Sequence, residues 1–188
     1  MSRSIVITVF LAGLAAIFLA FSATPSRAIV AINQPFTLTS PDIKDEETFT
    51  SKFVFSGFGC TGGNVAPKLE WSGAPPETKY FAVTMYDPDA PTGSGWWHWS
   101  VINLPASATN LDASALPEGA ITTRTDYGVT GYGGPCPPAG DKPHRYILTV
   151  YALKDKVPLE AEVPAAQVGY YINSLKIGQA MMTLYYGR

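Results

Sequence analysis

The chain has 188 residues, which is the length of one domain or of one domain with a leader segment. Its 46% apolar and 15% charged residues exclude a disordered chain. The formal net charge is −2 and no basic run occurs, so the electrostatic footprint of a nucleic-acid-binding protein is missing and we expect no nucleic-acid partner. The 17 glycines and 16 prolines favour many turns, and hence a mainly β fold.

The N-terminal segment is typical of a secretory signal peptide. Arg3 precedes an uncharged apolar stretch over residues 5–21, and the small residues Ser26 and Ala28 occupy positions −3 and −1 of a cut after Ala28. We therefore predict a cleaved signal peptide at 1–28 and a single domain at 29–188, located in the periplasm or secreted. Because the apolar stretch is slightly long for a signal, an uncleaved anchor is the minor alternative. No later stretch could span a membrane, so we expect no stable membrane insertion after cleavage.

Alternating apolar residues predict most of the secondary structure. Strands are expected over 36–39, 52–58, 79–87, 97–104, 144–153 and 181–186. Residues 164–178 predict one helix, because Pro164 suits the first helical turn and Val168, Ile172 and Leu175 recur at helical spacing. We expect this helix to pack on a sheet, and we find no linker or repeat after the leader.

The chain contains two cysteines, Cys60 and Cys136. In an oxidising compartment a disulfide is the expected state, and it would close a loop of about 76 residues. The bond would connect the loop at 57–64 to the region around Cys136. The alternative is a reactive Cys136 with His144 as its base, although the sequence supplies no third group for such a site.

The chain also contains two histidines, and each lies in a motif rich in turns and aromatic residues. His98 lies in the segment DPDAPTGSGWWHW at 87–99, and His144 follows GYGGPCPP at 131–138. Histidine changes charge near neutral pH and donates hydrogen bonds to anions. We therefore predict one site that is built from both segments. The alternative is that both histidines are structural, since Asp-Pro turns and Trp-rich strands occur in any β protein.

The residues around each histidine suggest specific roles. The turn after Asp87 would bring its carboxylate back toward His98, and Trp96 would share a strand face with His98. Tyr146 would share a face with His144, and the backbone amides of the glycines at 131, 133 and 134 can cradle an anion. Two imidazoles, a phenol, amides and an indole would suit a small phosphate or carboxylate.

These segments resemble the phosphatidylethanolamine-binding protein family, also called Raf kinase inhibitor-like proteins, in its bacterial form. The resemblance rests on residues 87–91, 96–99, 131–138 and 144–146, with support from 59–64 and 184–188, and it covers nearly all of 33–188. It implies a mainly β fold, in which a large antiparallel sheet packs on a smaller one, with peripheral helices. It also implies a pocket for phosphate, acetate or a phosphoethanolamine head group, formed by Asp87, Pro91, Trp96, His98, Gly134, His144 and Tyr146. Bacterial members are often homodimers, so a homodimer is an option here.

We therefore expect non-catalytic binding of small anions or phospholipid head groups, without a cofactor or metal. In such a pocket Asp87 would either orient His98 or receive the ammonium group of a zwitterionic head group. Two alternatives remain open. The protein could regulate or inhibit a protein partner, such as a protease or a host signalling factor. It could also be a hydrolase or a metal site that uses Asp87, His98 and His144, although their spacing matches no established metal signature and no Gly-x-Ser-x-Gly motif occurs.

Overall fold

The computed structural model describes residues 34–188, which contain ten β-strands and one α-helix. The predicted signal peptide lies outside these residues. The elements in chain order are β1 Thr37–Thr39, β2 Ser56–Gly57, β3 Cys60–Thr61, β4 Leu69–Ser72, β5 Tyr80–Asp87, β6 Trp96–Pro105, β7 Asn110–Leu111, β8 Ile121–Thr122, β9 His144–Leu153, α1 Ala165–Leu175 and β10 Lys176–Tyr186. Across 34–188, no helix combines the length and the apolar character that a membrane span requires.

The larger sheet contains five antiparallel strands in the order β10-β9-β5-β6-β8. Its central strand β5 alternates along the sequence YFAVTMYD, so successive side chains point to opposite faces. Val83 and Met85 belong to one buried apolar cluster, whereas Ala82 belongs to a second cluster on the other face. Both faces of the large sheet are therefore covered.

The smaller sheet contains three antiparallel strands in the order β1-β4-β7, and it covers one face of the large sheet. Leu38 of β1 and Leu69 of β4 lie in the same buried cluster as Val83 of β5. The rings of Trp71 and Phe81 connect the two sheets with centroids 5.3 Å apart. The predicted mainly β fold, with a large antiparallel sheet packed on a smaller one, is confirmed.

Helix α1 covers the opposite face of the large sheet, as the apolar spacing predicted. Val168 and Ile172 are buried against Ile102 and Leu153. The helix is shorter than the predicted range of 164–178. Pro164 precedes the first turn as an extended N-cap residue, and strand β10 begins at residue 176, directly after the helix.

The remaining differences from the predicted elements concern short segments. A strand was predicted over 52–58, but residues 51–53 form a turn and only Ser56–Gly57 pairs, with Cys60–Thr61. Phe53 and Val54 are nevertheless buried. The apolar residues that predicted a strand here therefore belong to a turn whose side chains pack into the core. The last strand starts at 176 rather than 181, and strands β3, β4, β7 and β8 were not predicted.

Candidate functional site

The ends of three neighbouring strands meet at one edge of the large sheet. Strand β5 runs antiparallel to both β6 and β9, so the end of β5 lies beside the start of each neighbour. Asp87 pairs with Trp96, and Tyr86 pairs with Ile147. This geometry brings the start of β6, with His98, close to the start of β9, with His144. Both histidines line one cavity of about 210 Å³.

Six of the seven predicted site residues line this cavity, namely Asp87, Pro91, Trp96, His98, His144 and Tyr146. Two aromatic residues of the lining were not predicted, namely Phe58 and Tyr127, which come from separate loops. The predicted disulfide was the available signal for Phe58, because Cys136 also lines the cavity and the bond places the loop at 57–64 beside it. No comparable signal existed for Tyr127. The role of all these residues in ligand binding stays a prediction.

Asp87 supports His144 and not His98. Its Oδ2 accepts a hydrogen bond of 2.8 Å from Nδ1 of His144, and its Oδ1 accepts the backbone N–H groups of Asp89 and Ala90 at 2.8 and 3.0 Å. The prediction that Asp87 orients His98 is therefore wrong. The turn after Asp87 folds its own amides onto the carboxylate, and the neighbouring strand β9 presents His144 to the other oxygen.

His98 is held by backbone carbonyls. Its Nδ1 lies 2.8 Å from the oxygen of Gly133 and 3.1 Å from that of Gly134. A carbonyl only accepts hydrogen bonds, so Nδ1 carries the hydrogen and Nε2 of the neutral ring carries a lone pair. Burial lowers the pKa of His98 to about 4, against the opposing effect of these carbonyls and of Asp87. At neutral pH the ring is therefore uncharged.

His144 has the same tautomer for a different reason. Its Nδ1 donates to the Asp87 carboxylate, so Nε2 of the neutral ring is again an acceptor. The partly exposed carboxylate of Asp141 lies 3.5 Å from this Nε2. In both imidazoles Nδ1 is thus used in a hydrogen bond, and Nε2 is the remaining nitrogen. Each Nε2 can donate a hydrogen bond only after the ring is protonated.

Gly134 lies behind His98 and does not line the cavity. Its N–H donates to Oδ1 of Asn64 at 2.8 Å, and the N–H of Gly133 donates to the His98 carbonyl at 2.8 Å. The prediction that these two amides cradle an anion is therefore wrong. Gly134 is needed for close packing instead, because a Cβ at this position would collide with the carbonyl oxygen of Phe53.

Two buried polar atoms of cavity-lining residues have no hydrogen-bond partner within residues 34–188. They are Nε1 of Trp96 and the hydroxyl oxygen of Tyr146. Burial raises the pKa of Tyr146 above its ordinary range, so the phenol stays protonated and can donate. An unsatisfied buried polar group costs about 1–3 kcal/mol. Two such donors beside the cavity suit a guest that is rich in acceptor atoms.

The predicted disulfide between Cys60 and Cys136 is confirmed. Both sulfur atoms are in the bond, so the alternative of a reactive Cys136 thiolate with His144 as its base is wrong. The bond connects the β2–β3 hairpin to the proline-rich wall of the cavity, where Pro137 and Pro138 also contribute to the lining. Within 34–188, no three side chains of His, Cys, Asp or Glu are arranged to hold a metal ion.

The fold agrees with what comparison with known proteins shows. The model of the family "Phosphatidylethanolamine-binding protein" matches residues 39–187, and the chain belongs to this family. The UPF0098 protein YbcL of Escherichia coli K12 is 54% identical over 159 residues, which are 80% of this chain and 87% of that protein. The crystal structure of E. coli YbcL, described as a new member of the mammalian family, superposes with a TM-score of 0.79 at 52% identity, covering 81% of this chain and 98% of that one.

Two more distant relatives extend the comparison. A phosphatidylethanolamine-binding protein homologue of Chlamydia trachomatis, CT736, has a TM-score of 0.69 at 29% identity, covering 81% of this chain and 97% of that one. A Mycobacterium tuberculosis protein named as the lipoprotein LppC is 34% identical over 150 residues, which are 79% of this chain and 71% of that protein. The resemblance that the motifs carried is thus confirmed at the level of the family.

Proposed function

We propose that the cavity between the starts of β6 and β9 binds a small anion, such as inorganic phosphate or the phosphate of a phospholipid head group. The observation that carries the proposal is the pair of unpartnered buried donors, Trp96 Nε1 and the Tyr146 hydroxyl, in residues that line the same cavity as His98 and His144. Protonated imidazoles would add donors at Nε2 and would form the stronger, charge-assisted hydrogen bonds.

The Asp87 carboxylate contributes by compensating a positive charge on His144. Asp87 is itself buried, and its three hydrogen bonds come from His144, Asp89 and Ala90. A carboxylate that is already used in this way is a poor receptor for an ammonium group. We therefore assign the anion, rather than the amine of a zwitterionic head group, as the part of the ligand that the cavity recognises.

We further propose that binding is not followed by chemistry. Among the cavity-lining residues of the described range 34–188, the only aliphatic hydroxyl is that of Thr92, and it donates to the carbonyl of Gly95. Cys136 is oxidised in the disulfide. Neither histidine therefore has an activated nucleophile beside it, which is the arrangement that hydrolases of the Ser–His or Cys–His type require.

We place this function in the cell envelope or outside the cell. The relative named as the lipoprotein LppC, the predicted signal peptide at 1–28 and the disulfide all agree with an oxidising compartment. A protein partner and a homodimer stay proposals for the same compartment.

Titration calorimetry with inorganic phosphate tests the proposal. At about pH 5, where a bound anion favours the protonated form of His98, we expect binding to the wild-type protein and loss of most of the affinity in His98→Ala and in His144→Ala. Lys142→Ala is the matched control, because Lys142 is an exposed cation close in sequence to His144 that does not line the cavity. It should bind phosphate within about twofold of the wild type. Unchanged affinity in both histidine variants would refute the site.

A further inference from the structure

Phe58 combines exposure with an unfavourable backbone conformation beside the cavity. Its side chain lines the cavity although the residue is 69% exposed, so it lies at the cavity opening. Its φ of 51° is in the left-handed region, which bulky residues rarely adopt. Exposure of a large aromatic side chain and a strained backbone are both unfavourable for folding, and such features cluster at binding sites.

Several contacts hold the backbone of Phe58 in this conformation. The neighbouring Cys60 is bonded to Cys136, and Gly57 pairs with Cys60 in the β2–β3 hairpin. The guanidinium group of Arg188 donates to the carbonyl of Gly59 at 3.2 Å and to that of Phe58 at 3.5 Å. The disulfide and the Arg188 side chain therefore hold the backbone from which the Phe58 ring extends.

The ring of Phe58 extends an aromatic surface that starts inside the cavity. Trp96 contacts Tyr127 edge to face with centroids 5.3 Å apart, and Tyr127 lies 5.5 Å from Phe58. The ring of Phe55 stacks on the ring of Tyr127, with centroids 4.0 Å apart and an angle of 18° between the planes. Three aromatic residues thus lead from the histidines toward solvent.

The lining determines which substituent this surface suits. Within residues 34–188, Asp87 is the only acidic residue that lines the cavity, and its hydrogen bonds to His144, Asp89 and Ala90 leave it poorly placed to neutralise an ammonium group. Pro91 and Pro138 complete the wall near the opening and add apolar area. An apolar group on the anion would bury surface against these residues, whereas an ammonium group would lose hydration there.

On the basis of the proposed anion site, we infer that Phe58 is a specificity-determining residue, which selects anions that carry an aryl or short alkyl group next to the charge. The anion would contact the histidines and Tyr146, and the apolar group would lie against Phe58 and Tyr127. Such a ligand covers the exposed ring, and aromatic pairs of this kind add affinity beyond the area that they bury.

The test compares Phe58→Ala with the wild type in calorimetric titrations of inorganic phosphate, phenyl phosphate and phosphoethanolamine. We expect phenyl phosphate to bind the wild type more tightly than inorganic phosphate does. In Phe58→Ala the affinity for phenyl phosphate should fall about five- to tenfold, while that for inorganic phosphate changes less than about twofold. Tyr170→Ala is the matched control, since Tyr170 is equally exposed at 70% but lies on helix α1 and does not line this cavity.

Several results would overturn the inference. Equal losses for inorganic phosphate and phenyl phosphate would make Phe58 a general support of the cavity. A loss confined to phosphoethanolamine would mean that the ring receives a cation. A change in oligomeric state, measured by light scattering, with all affinities retained would assign Phe58 to a contact between copies of the chain. If the wild type binds none of the three compounds, the proposed function fails too; if it binds them and Phe58→Ala has no effect, this inference alone fails.

Discussion

Nδ1 of His144 lies 2.8 Å from Oδ2 of Asp87, and both side chains are buried at the edge where β9 meets β5. The contact sets the tautomer of His144 and gives the ring a compensating charge if it becomes protonated. Nδ1 of His98 instead faces two backbone carbonyls, those of Gly133 and Gly134, and no carboxylate. The two imidazoles are therefore alike in geometry but different in the charge that surrounds them.

Asp87→Asn should lower the affinities for inorganic phosphate and for phosphoethanolamine by the same factor, roughly tenfold. An amide has one acceptor oxygen where the carboxylate has two, so either His144 Nδ1 or the amides of Asp89 and Ala90 would face an N–H group. Calorimetry with both compounds measures the effect. A loss confined to phosphoethanolamine would show that Asp87 binds the ammonium group after all, and no loss for either compound would reduce Asp87 to a structural residue.

Sulfate, which stays fully ionised near neutral pH, should bind more tightly as the pH falls. At neutral pH His98 presents a lone pair at Nε2, which disfavours an anion, and protonation converts this atom into a charged donor. Uptake of one proton would change the affinity by up to about tenfold per pH unit. The titratable side chains that surround His98 are those of Tyr127, Tyr146, Asp87 and His144. Titrations between about pH 5 and about pH 8 measure the slope, and a flat profile would contradict the assignment.

The same burial of His98 makes the free protein less stable in acid. Its pKa is about 4 in the folded state and near 6.5 in the unfolded chain, so the unfolded chain takes up a proton first as the pH falls. The contribution of His98 to the free energy of unfolding is complete above about pH 6.5. It decreases as the pH falls to about 4, by roughly 3 kcal/mol in total. His98→Asn keeps an N–H for the carbonyls of Gly133 and Gly134 and removes the titration. Urea unfolding at about pH 7.5 and about pH 4.5 should therefore show a smaller difference in the variant than in the wild type.

The sequence predicted those parts of the site that depend on local periodicity. The alternation of HRYILTVYAL gives β9 its observed bounds and places His144 and Tyr146 on one face. Likewise, the Pro and Gly residues after Asp87 marked the turn between β5 and β6. Both features are properties of a short segment, so they can be read without knowledge of the neighbours in space.

Features that depend on the order of strands in the sheet were missed or assigned to the wrong partner. Asp87 was expected beside His98, its neighbour in sequence, but β9 lies next to β5 and brings in His144. The amides of Gly133 and Gly134 were expected to face a ligand, but Asn64 and the backbone of β6 occupy them. These partners come from distant segments, and no local pattern indicates them.

The disulfide should contribute to stability chiefly by restricting the unfolded chain. Cys60 and Cys136 are separated by 76 residues, and closing a loop of this size stabilises the folded state by about 4 kcal/mol. The double variant Cys60→Ser with Cys136→Ser should lose an amount of this order in urea unfolding at neutral pH. Reduction of the wild type with a thiol should give the same loss. A double variant as stable as the oxidised wild type would contradict the prediction.

Tyr146→Phe should separate binding from stability. The Tyr146 hydroxyl is buried and has no partner within residues 34–188, so its removal should leave the free energy of unfolding unchanged or raise it by up to about 1 kcal/mol. Phosphate affinity should nevertheless fall about five- to tenfold, because the anion loses a donor. Tyr132→Phe is the matched control: its hydroxyl donates to the Phe53 carbonyl at 3.0 Å and lies outside the cavity lining. That variant should lose about 1 kcal/mol of stability and keep its phosphate affinity. Unchanged phosphate affinity in Tyr146→Phe would remove this hydroxyl from the anion site.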